Sequence, residues 1–65
     1  MLQVSGFAHS VVCVKTHDDV LYTGTLLALD RQMNTVLQDV SNDIGDARPS
    51  LFIKGSNILY ISLKE

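Results

Sequence analysis

Short runs of apolar residues, interrupted by polar breaks, cover most of this 65-residue chain. Runs of this length that are rich in β-branched residues are typical of β-strands rather than of helices. The pattern predicts five strands, at Ser10–Thr16, Val20–Asp30, Thr35–Ser41, Ser50–Lys54 and Asn57–Leu63. Five short strands with tight turns and no long helix indicate an all-β fold, a small five-stranded antiparallel barrel.

The second strand is expected to be curled, because apolar side chains occupy both of its faces. Leu27 and Leu29 fall on one face, whereas Leu26 and Ala28 fall on the other. Gly24 lies in the middle of the strand, and a glycine there usually marks a bend or a close backbone approach. A strand of this kind is bent into a barrel or covered by a neighbour.

The connections between the strands are short and polar. His17-Asp18-Asp19 fits a hairpin turn, residues 31–34 fit another, and Asn42–Ala47 is the clearest loop. Pro49 is predicted to end that loop, since proline cannot donate a hydrogen bond within a central strand. Met1–Ser10 is predicted to form a loop or a short, frayed helix.

The last strand is predicted to be an exposed edge that pairs with another chain. Asn57–Leu63 contains neither lysine nor proline, the residues that commonly block such pairing. A domain of this size buries only about 60% of its unfolded surface, and the single cysteine, Cys13, excludes an internal disulfide. Pairing with a neighbouring subunit would stabilise the fold, and head-to-tail pairing produces a ring when the rotation closes.

Composition narrows the class of protein. Hydrophobic residues make up 46% of the chain and charged residues 18%, which is too apolar for a disordered segment. The net charge of −2 argues against a broad basic surface for nucleic acid but leaves room for a local one. We expect one domain over residues 1–65, with no signal peptide and no membrane span. A lone thiol favours a reducing compartment, the nucleus or the cytoplasm.

A metal site and an enzyme are both disfavoured. His9, Cys13 and His17 are four residues apart, a spacing that would place them on one face of a helix. On a strand the outer two are separated by roughly 26 Å, too far to share one metal ion. The chain also lacks a glycine-rich phosphate loop and an activated nucleophile. The sequence therefore predicts no metal, no cofactor and no catalytic residue.

Two motifs resemble the two signatures of the Sm and Sm-like (LSm) protein family. Residues 24–37 read GTLLALDRQMNTVL and match G-x-L-x-x-x-D-x-x-M-N-x-x-L. Residues 53–61 read IKGSNILYI and are similar to I-R-G-x-x-I-x-x-I. The resemblance covers roughly His9 to Leu63. It implies an SH3-like, bent five-stranded barrel, often with a short N-terminal helix in front of it.

The resemblance also implies a partner and a function. Family members form rings, commonly of seven or six subunits, in which the fourth strand of one subunit pairs with the fifth of the next. Such rings bind single-stranded, uridine-rich RNA in splicing snRNPs or mRNA decay, or act as homomeric RNA chaperones. Whether the ring has identical or different subunits stays open. The alternative is an Sm-fold scaffold that binds protein partners only.

Five residues of this chain match the RNA-contacting positions of the family. The resemblance implies that Asn34 hydrogen-bonds the base edge, with an amide that offers both a donor and an acceptor, and that Asp30 orients Asn34. It places Gln32 over one face of the base and Lys54 against the other, near phosphate. Gly55 would let the backbone approach closely.

Two of these residues depart from the family pattern. Gln32 stands where an aromatic residue is common, and Lys54 stands where arginine is usual. Arginine stacks as a plane, whereas lysine acts as a point charge, so we expect a weaker hold on the base. Asp30 and Asn34 also fit a plain turn, because such residues cap their own backbone. Met33 is expected to lie in the core.

Overall fold

The five predicted strands are all present in the computed structural model, which describes residues 9–64. The strands are β1 (Val11–Thr16), β2 (Leu21–Leu29), β3 (Thr35–Asn42), β4 (Ala47–Ile53) and β5 (Ile58–Leu63), and a 3₁₀ turn, Gly55–Asn57, precedes β5. All four strand pairings are antiparallel, which confirms the predicted all-β class. Of the loop or short helix predicted for Met1–Ser10, residues 1–8 lie outside the described residues, and His9 and Ser10 form a turn that leads into β1.

The sheet has the order β4-β3-β2-β1-β5. Strands that follow one another in sequence are neighbours, except that β5 returns to pair with β1. This order leaves one side of β4 and one side of β5 without a strand partner among residues 9–64. Each of these outer strands carries exposed apolar side chains, and they are Phe52, Leu59, Tyr60 and Leu63. The apolar pattern predicted only the β5 edge, whereas the family resemblance implied an open edge on the fourth strand as well.

The core draws on every strand, and this shows that the sheet is curled. Seven apolar side chains form one buried cluster, and they are Val12, Val14, Leu26, Leu37, Val40, Ile53 and Ile58. Ile53 belongs to β4 and Ile58 to β5, the two outermost strands of the sheet. Only a strongly bent sheet can place side chains from both outer strands against the same core.

The close backbone approach that the sequence predicts at Gly24 is present. A Cβ atom at Gly24 would lie 3.0 Å from the Gln38 carbonyl oxygen and 3.2 Å from Val40 Cγ2. The register between β2 and β3 shifts between Thr23 and Thr25, and Asp39 on β3 has a left-handed φ of 54°. The missing side chain therefore lets β3 approach β2 closely where the pairing is irregular.

The predicted start of β4 was wrong. β4 begins at Ala47 rather than Ser50, and Pro49 lies within the strand. Pro49 is tolerated because β4 is an outer strand, where half of the backbone N–H groups face away from the sheet. The prediction assumed that this strand was central, where proline would remove a ladder hydrogen bond. That restriction does not hold for an outer strand such as β4.

Residues 9–64 contain no helix of the length and hydrophobicity that a bilayer crossing requires. They also contain no group of three His, Cys, Asp or Glu side chains arranged to hold a metal ion.

Candidate functional site

The turn between β2 and β3 is organised by the Asp30 carboxylate. Asp30 Oδ1 accepts hydrogen bonds from the backbone N–H groups of Gln32 and Asn34, both at 2.9 Å. Asp30 Oδ2 accepts a third from the Asn34 side-chain Nδ2, at 2.8 Å. The backbone also closes on itself, since the Met33 N–H donates to the Asp30 carbonyl at 3.1 Å. One carboxylate therefore fixes both the backbone of the turn and the Asn34 side chain.

These bonds shift the titration of Asp30. Burial raises the pKa of the Asp30 carboxyl, but the hydrogen bonds from the Asn34 side chain and from the backbone N–H groups of Asn34 and Gln32 outweigh it. The net result is that the pKa of Asp30 lies below its ordinary value. The charged form is favoured because all three donors point at it.

The depressed pKa predicts that Asp30 stabilises the fold at neutral pH and stops doing so in acid. A lowered pKa in the folded state stabilises above the unfolded pKa of about 4, and that stabilisation is lost as the pH falls through the folded pKa. We expect Asp30→Asn to lower the midpoint of thermal unfolding at pH 7. The difference from wild type should shrink steadily below about pH 4, which unfolding curves between pH 7 and pH 2 would measure.

A matched control for this titration is Asp46→Asn. Asp46 is exposed in the β3–β4 turn, and its carboxylate accepts no hydrogen bond from residues 9–64. Its substitution should change the unfolding midpoint little at any pH. If the difference in unfolding midpoint between wild type and Asp30→Asn stays constant down to pH 2, the stabilising role assigned to the charged Asp30 carboxylate is wrong.

Asn34 joins this turn to the connection between β4 and β5. Its Oδ1 accepts a hydrogen bond from the Gly55 backbone N–H at 2.6 Å, while its Nδ2 donates to Asp30. The two partners fix the orientation of the amide, because the reverse orientation would set a donor against the Gly55 N–H and an oxygen against the carboxylate. Asn34 and Gly55 are 21 positions apart in the sequence, and this hydrogen bond brings their two motifs together.

Gly55 is needed for this contact. A Cβ atom there would overlap the Gln32 carbonyl oxygen and lie 2.7 Å from the Gln32 carbonyl carbon and 2.9 Å from the Asn34 nitrogen. All three are backbone atoms, so no side-chain rotation relieves the clash. The close backbone approach expected at Gly55 is therefore present, and it is an approach to the β2–β3 turn.

The remaining two candidate residues flank this junction with exposed side chains. Gln32 follows Asp30 in the first turn, and Lys54 directly precedes Gly55 in extended conformation, with φ −67° and ψ 134°. Within residues 9–64 the only ion pair joins Lys15 and Asp19, so the Lys54 ammonium is not neutralised by a described carboxylate. A positive charge and an exposed amide thus stand beside the fixed Asn34 side chain.

Sequence reasoning missed two features of the site. Met33, expected in the core, is 38% exposed and has a left-handed φ of 70°, because the tight turn around Asp30 directs it outward. The 3₁₀ turn is also held at its far end, where the His17 N–H donates to the Asn57 carbonyl at 2.8 Å. No local sequence signal marks this second contact, since its partners come from distant turns.

Comparison with known proteins assigns the fold and its two turns to one family. A family model described as the LSM domain matches residues 3–63 of this chain. This chain belongs to the LSM family. The two turns that Asn34 and Gly55 join both lie within the matched residues.

Curated relatives of this LSM chain include a protein of Debaryomyces hansenii named U6 snRNA-associated Sm-like protein LSm6. The two are 39% identical over 57 residues, which cover 82% of this chain and 67% of the relative. Sm-like protein LSM6A of Arabidopsis thaliana is 41% identical over 59 residues, which cover 78% of this chain and 60% of that protein.

Solved structures of archaeal relatives share the bent sheet. A novel Sm-like protein from Pyrobaculum aerophilum superimposes with a TM-score of 0.87 at 32% identity, and the match covers 91% of this LSM chain. The chain spans 46% of the length of that archaeal protein. A heptameric archaeal Sm protein superimposes with a TM-score of 0.85 at 27% identity, covering 91% of each chain.

Proposed function

We propose that this LSM chain is a subunit of an Sm-like ring and binds single-stranded, uridine-rich RNA there. Within that ring Asp30, Asn34 and Gly55 form the base-reading site, and Gln32 and Lys54 flank it. The observation that carries the proposal is the fixed amide of Asn34, which is held between Asp30 and Gly55. Relatives named U6 snRNA-associated support an RNA ligand.

The fixed amide has the hydrogen-bonding capacity that a base edge requires. An asparagine amide carries two N–H donors and an oxygen with two lone pairs. One donor is used by Asp30 and one lone pair by Gly55. One N–H and one lone pair therefore remain on adjacent atoms, enough for two parallel hydrogen bonds to an unpaired base.

The orientation of the amide favours uracil. Uracil presents an acceptor, O4, next to a donor, N3–H, so it can accept from Nδ2 and donate to Oδ1. Cytosine presents the opposite order, a donor at N4 and an acceptor at N3. To pair with cytosine in the same pose, the Asn34 amide would have to rotate by 180°. The rotation would break its bonds to Asp30 and Gly55, because it would set the amide oxygen against the Asp30 carboxylate and the amide N–H against the Gly55 N–H.

Lys54 supplies an electrostatic contribution to RNA binding. Its exposed ammonium lies one residue from Gly55, and phosphate is the natural partner of a free cation beside a base-binding site. Each cation that neutralises a phosphate of a single strand changes the slope of log affinity against log salt by about 0.7. This local charge is compatible with the overall net charge of −2.

The open edges of the sheet support the ring. β4 and β5 are the two outer strands, and each exposes apolar side chains. Pairing of β4 in one subunit with β5 in the next satisfies both rows of backbone groups and covers these side chains. One relative with the same fold is a heptamer.

We further propose that the chain is not an enzyme and that it acts in the nucleus, the cytoplasm or both. Rings of this kind hold RNA in splicing or decay particles, and binding alone suffices for that role. Asp30 and Asn34 are occupied in holding the turn, so neither is poised as a general base.

The direct test measures binding of fluorescent oligouridine and oligocytidine to the purified assembly that contains this chain. We expect tighter binding of oligouridine. Asn34→Ala should weaken oligouridine binding by roughly fivefold to 150-fold, since a pair of hydrogen bonds to one base edge contributes on the order of 1–3 kcal/mol. Lys54→Gln should reduce the salt slope by about 0.7 for each copy of the chain that contacts phosphate.

Controls separate loss of contact from loss of assembly. The mass of each variant assembly is checked by native mass spectrometry, and Lys64→Gln, an exposed cation after β5, serves as the charge control. If the intact Asn34→Ala and Lys54→Gln assemblies bind oligouridine like wild type, the RNA-binding proposal fails and the protein-only scaffold is favoured.

A further inference from the structure

Within residues 9–64, the two turns of the base-reading site contain no aromatic side chain. The flat rings of this part of the chain belong to His9, His17, Tyr22, Phe52 and Tyr60, and none belongs to the turns at 30–34 and 54–57. His17 adjoins the second turn only through its backbone N–H, at Asn57. Tyr22 packs against the core. Phe52 on β4 is paired with Val36, and Tyr60 on β5 with Lys15. Proteins that bind single strands usually place a flat ring under each base, and this site does not.

The residues that flank the fixed amide are long and polar instead. The Gln32 backbone is held through its N–H, which donates to Asp30, and through its carbonyl, which packs against Gly55. Its side chain is exposed and makes no hydrogen bond to the described residues. Lys54 carries a point charge without a planar group. Neither side chain offers a rigid surface on which a base can stack.

We infer that this subunit reads the edge of its base without stacking on either face. The inference rests on the proposed function and deepens it. The Asn34 amide selects uracil by its donor and acceptor order, Lys54 attracts the phosphate, and the faces of the base stay exposed. Such a subsite discriminates between bases while contributing little affinity, so a strand can shift past it more easily than past a stacked position.

Dihydrouridine is the probe that separates the two contributions. Its saturated C5–C6 bond puckers the ring and prevents stacking, but it retains N3–H and O4, the groups that the amide reads. We would use a set of oligouridines, each with one dihydrouridine at a successive position. In the wild-type assembly, dihydrouridine at the position bound by this chain should change affinity by less than about twofold, because no stacking energy is lost there.

Gln32→Tyr adds an aromatic ring beside the fixed amide, so the inference predicts a gain in oligouridine affinity for this variant. One base stacked on an aromatic ring is worth roughly fivefold to 150-fold in affinity, so this variant should bind oligouridine at least fivefold more tightly. The gain should disappear when dihydrouridine occupies the same position. Gln32→Leu, which adds apolar bulk without a flat ring, should not reproduce this gain. Arg31→Lys, which removes the planar guanidinium in the same turn, should stay within about twofold of wild type.

The outcomes distinguish this inference from the proposed function. If Gln32→Tyr binds oligouridine no better than wild type, if no oligomer position becomes sensitive to dihydrouridine in that variant, if Gln32→Leu gains as much affinity as Gln32→Tyr, or if Arg31→Lys loses more than fivefold, edge-only reading is overturned. Uridine preference and sensitivity to Asn34→Ala would survive that result. Loss of both of those properties would instead overturn RNA binding by this site.

Discussion

Replacing Gly55 with alanine should separate the two turns of the site and abolish base reading. The new Cβ would overlap the Gln32 carbonyl oxygen and crowd the Gln32 carbonyl carbon and the Asn34 nitrogen. These atoms belong to a backbone that Asp30 holds in place. The connection must therefore move away and lose the hydrogen bond from the Gly55 N–H to Asn34 Oδ1.

The expected losses of stability and of RNA affinity are large for the addition of one methyl group. Forcing extra atoms into a packed contact costs about 1–3 kcal/mol, which in a domain of this size lowers the unfolding midpoint by about 4–20 °C. Oligouridine affinity should fall more than tenfold at a temperature where the variant is still folded, because the freed Asn34 amide no longer has one orientation. Calorimetry and fluorescence anisotropy on the same samples measure the two effects.

Gly45→Ala is the matched control for Gly55→Ala. Gly45 has a left-handed φ of 95°, and a Cβ added there meets nothing within 4 Å. Its substitution should therefore lower stability by about 1 kcal/mol through backbone strain alone and leave RNA affinity unchanged. A folded Gly55→Ala assembly that binds oligouridine as tightly as Gly45→Ala would show that the junction between the turns does not support the site.

Replacing Ile61 with proline should disperse the ring. The Lys64 N–H donates to the Val11 carbonyl of β1, and successive strand residues point alternate ways, so the N–H of Ile61 faces away from β1. Proline there removes a donor on the open edge of β5, where no strand of residues 9–64 accepts it and a neighbouring subunit can. Each junction with this chain should weaken by about 1–3 kcal/mol, the penalty for leaving the opposing carbonyl unpaired. A ring made from copies of this chain would repeat that loss at every junction.

Ile61→Ala keeps the N–H while removing more of the side chain than proline does. It should retain the ring even if its unfolding midpoint falls, since Ile61 packs against the core. Native mass spectrometry of both variants at equal concentration gives the comparison. A proline variant of wild-type mass would show that the β5 edge is not a subunit junction.

The strands were predictable because they depend on local pattern. β-branched runs, polar breaks and the central Gly24 set the five strands and their bend, and the structure agrees within a residue or two at most ends. Pro49 was misread because its tolerance depends on strand order, which local pattern does not contain. The free edge of β4 follows from the sheet order β4-β3-β2-β1-β5, so local pattern could not predict it and only the family resemblance implied it.

The sequence supplied the candidate residues of the site but not the bond between its two turns. The two motifs identified Asp30, Asn34 and Gly55, yet no spacing rule indicates that the Asn34 amide accepts from the Gly55 N–H. That contact arises from the curl of the whole sheet, as does the contact of Asn57 with His17. Met33 was misassigned because apolarity favours burial, whereas the carboxylate-capped turn directs this residue outward.

The 3₁₀ turn is fastened at both ends, by Asn34 at Gly55 and by His17 at Asn57. The loop is therefore ordered before a ligand binds, and binding does not have to restrict its conformation. The entropic penalty of complex formation falls on the incoming strand, and little of the contact energy is spent on ordering protein. Association should then proceed at a rate limited by encounter and charge rather than by rearrangement of the subunit.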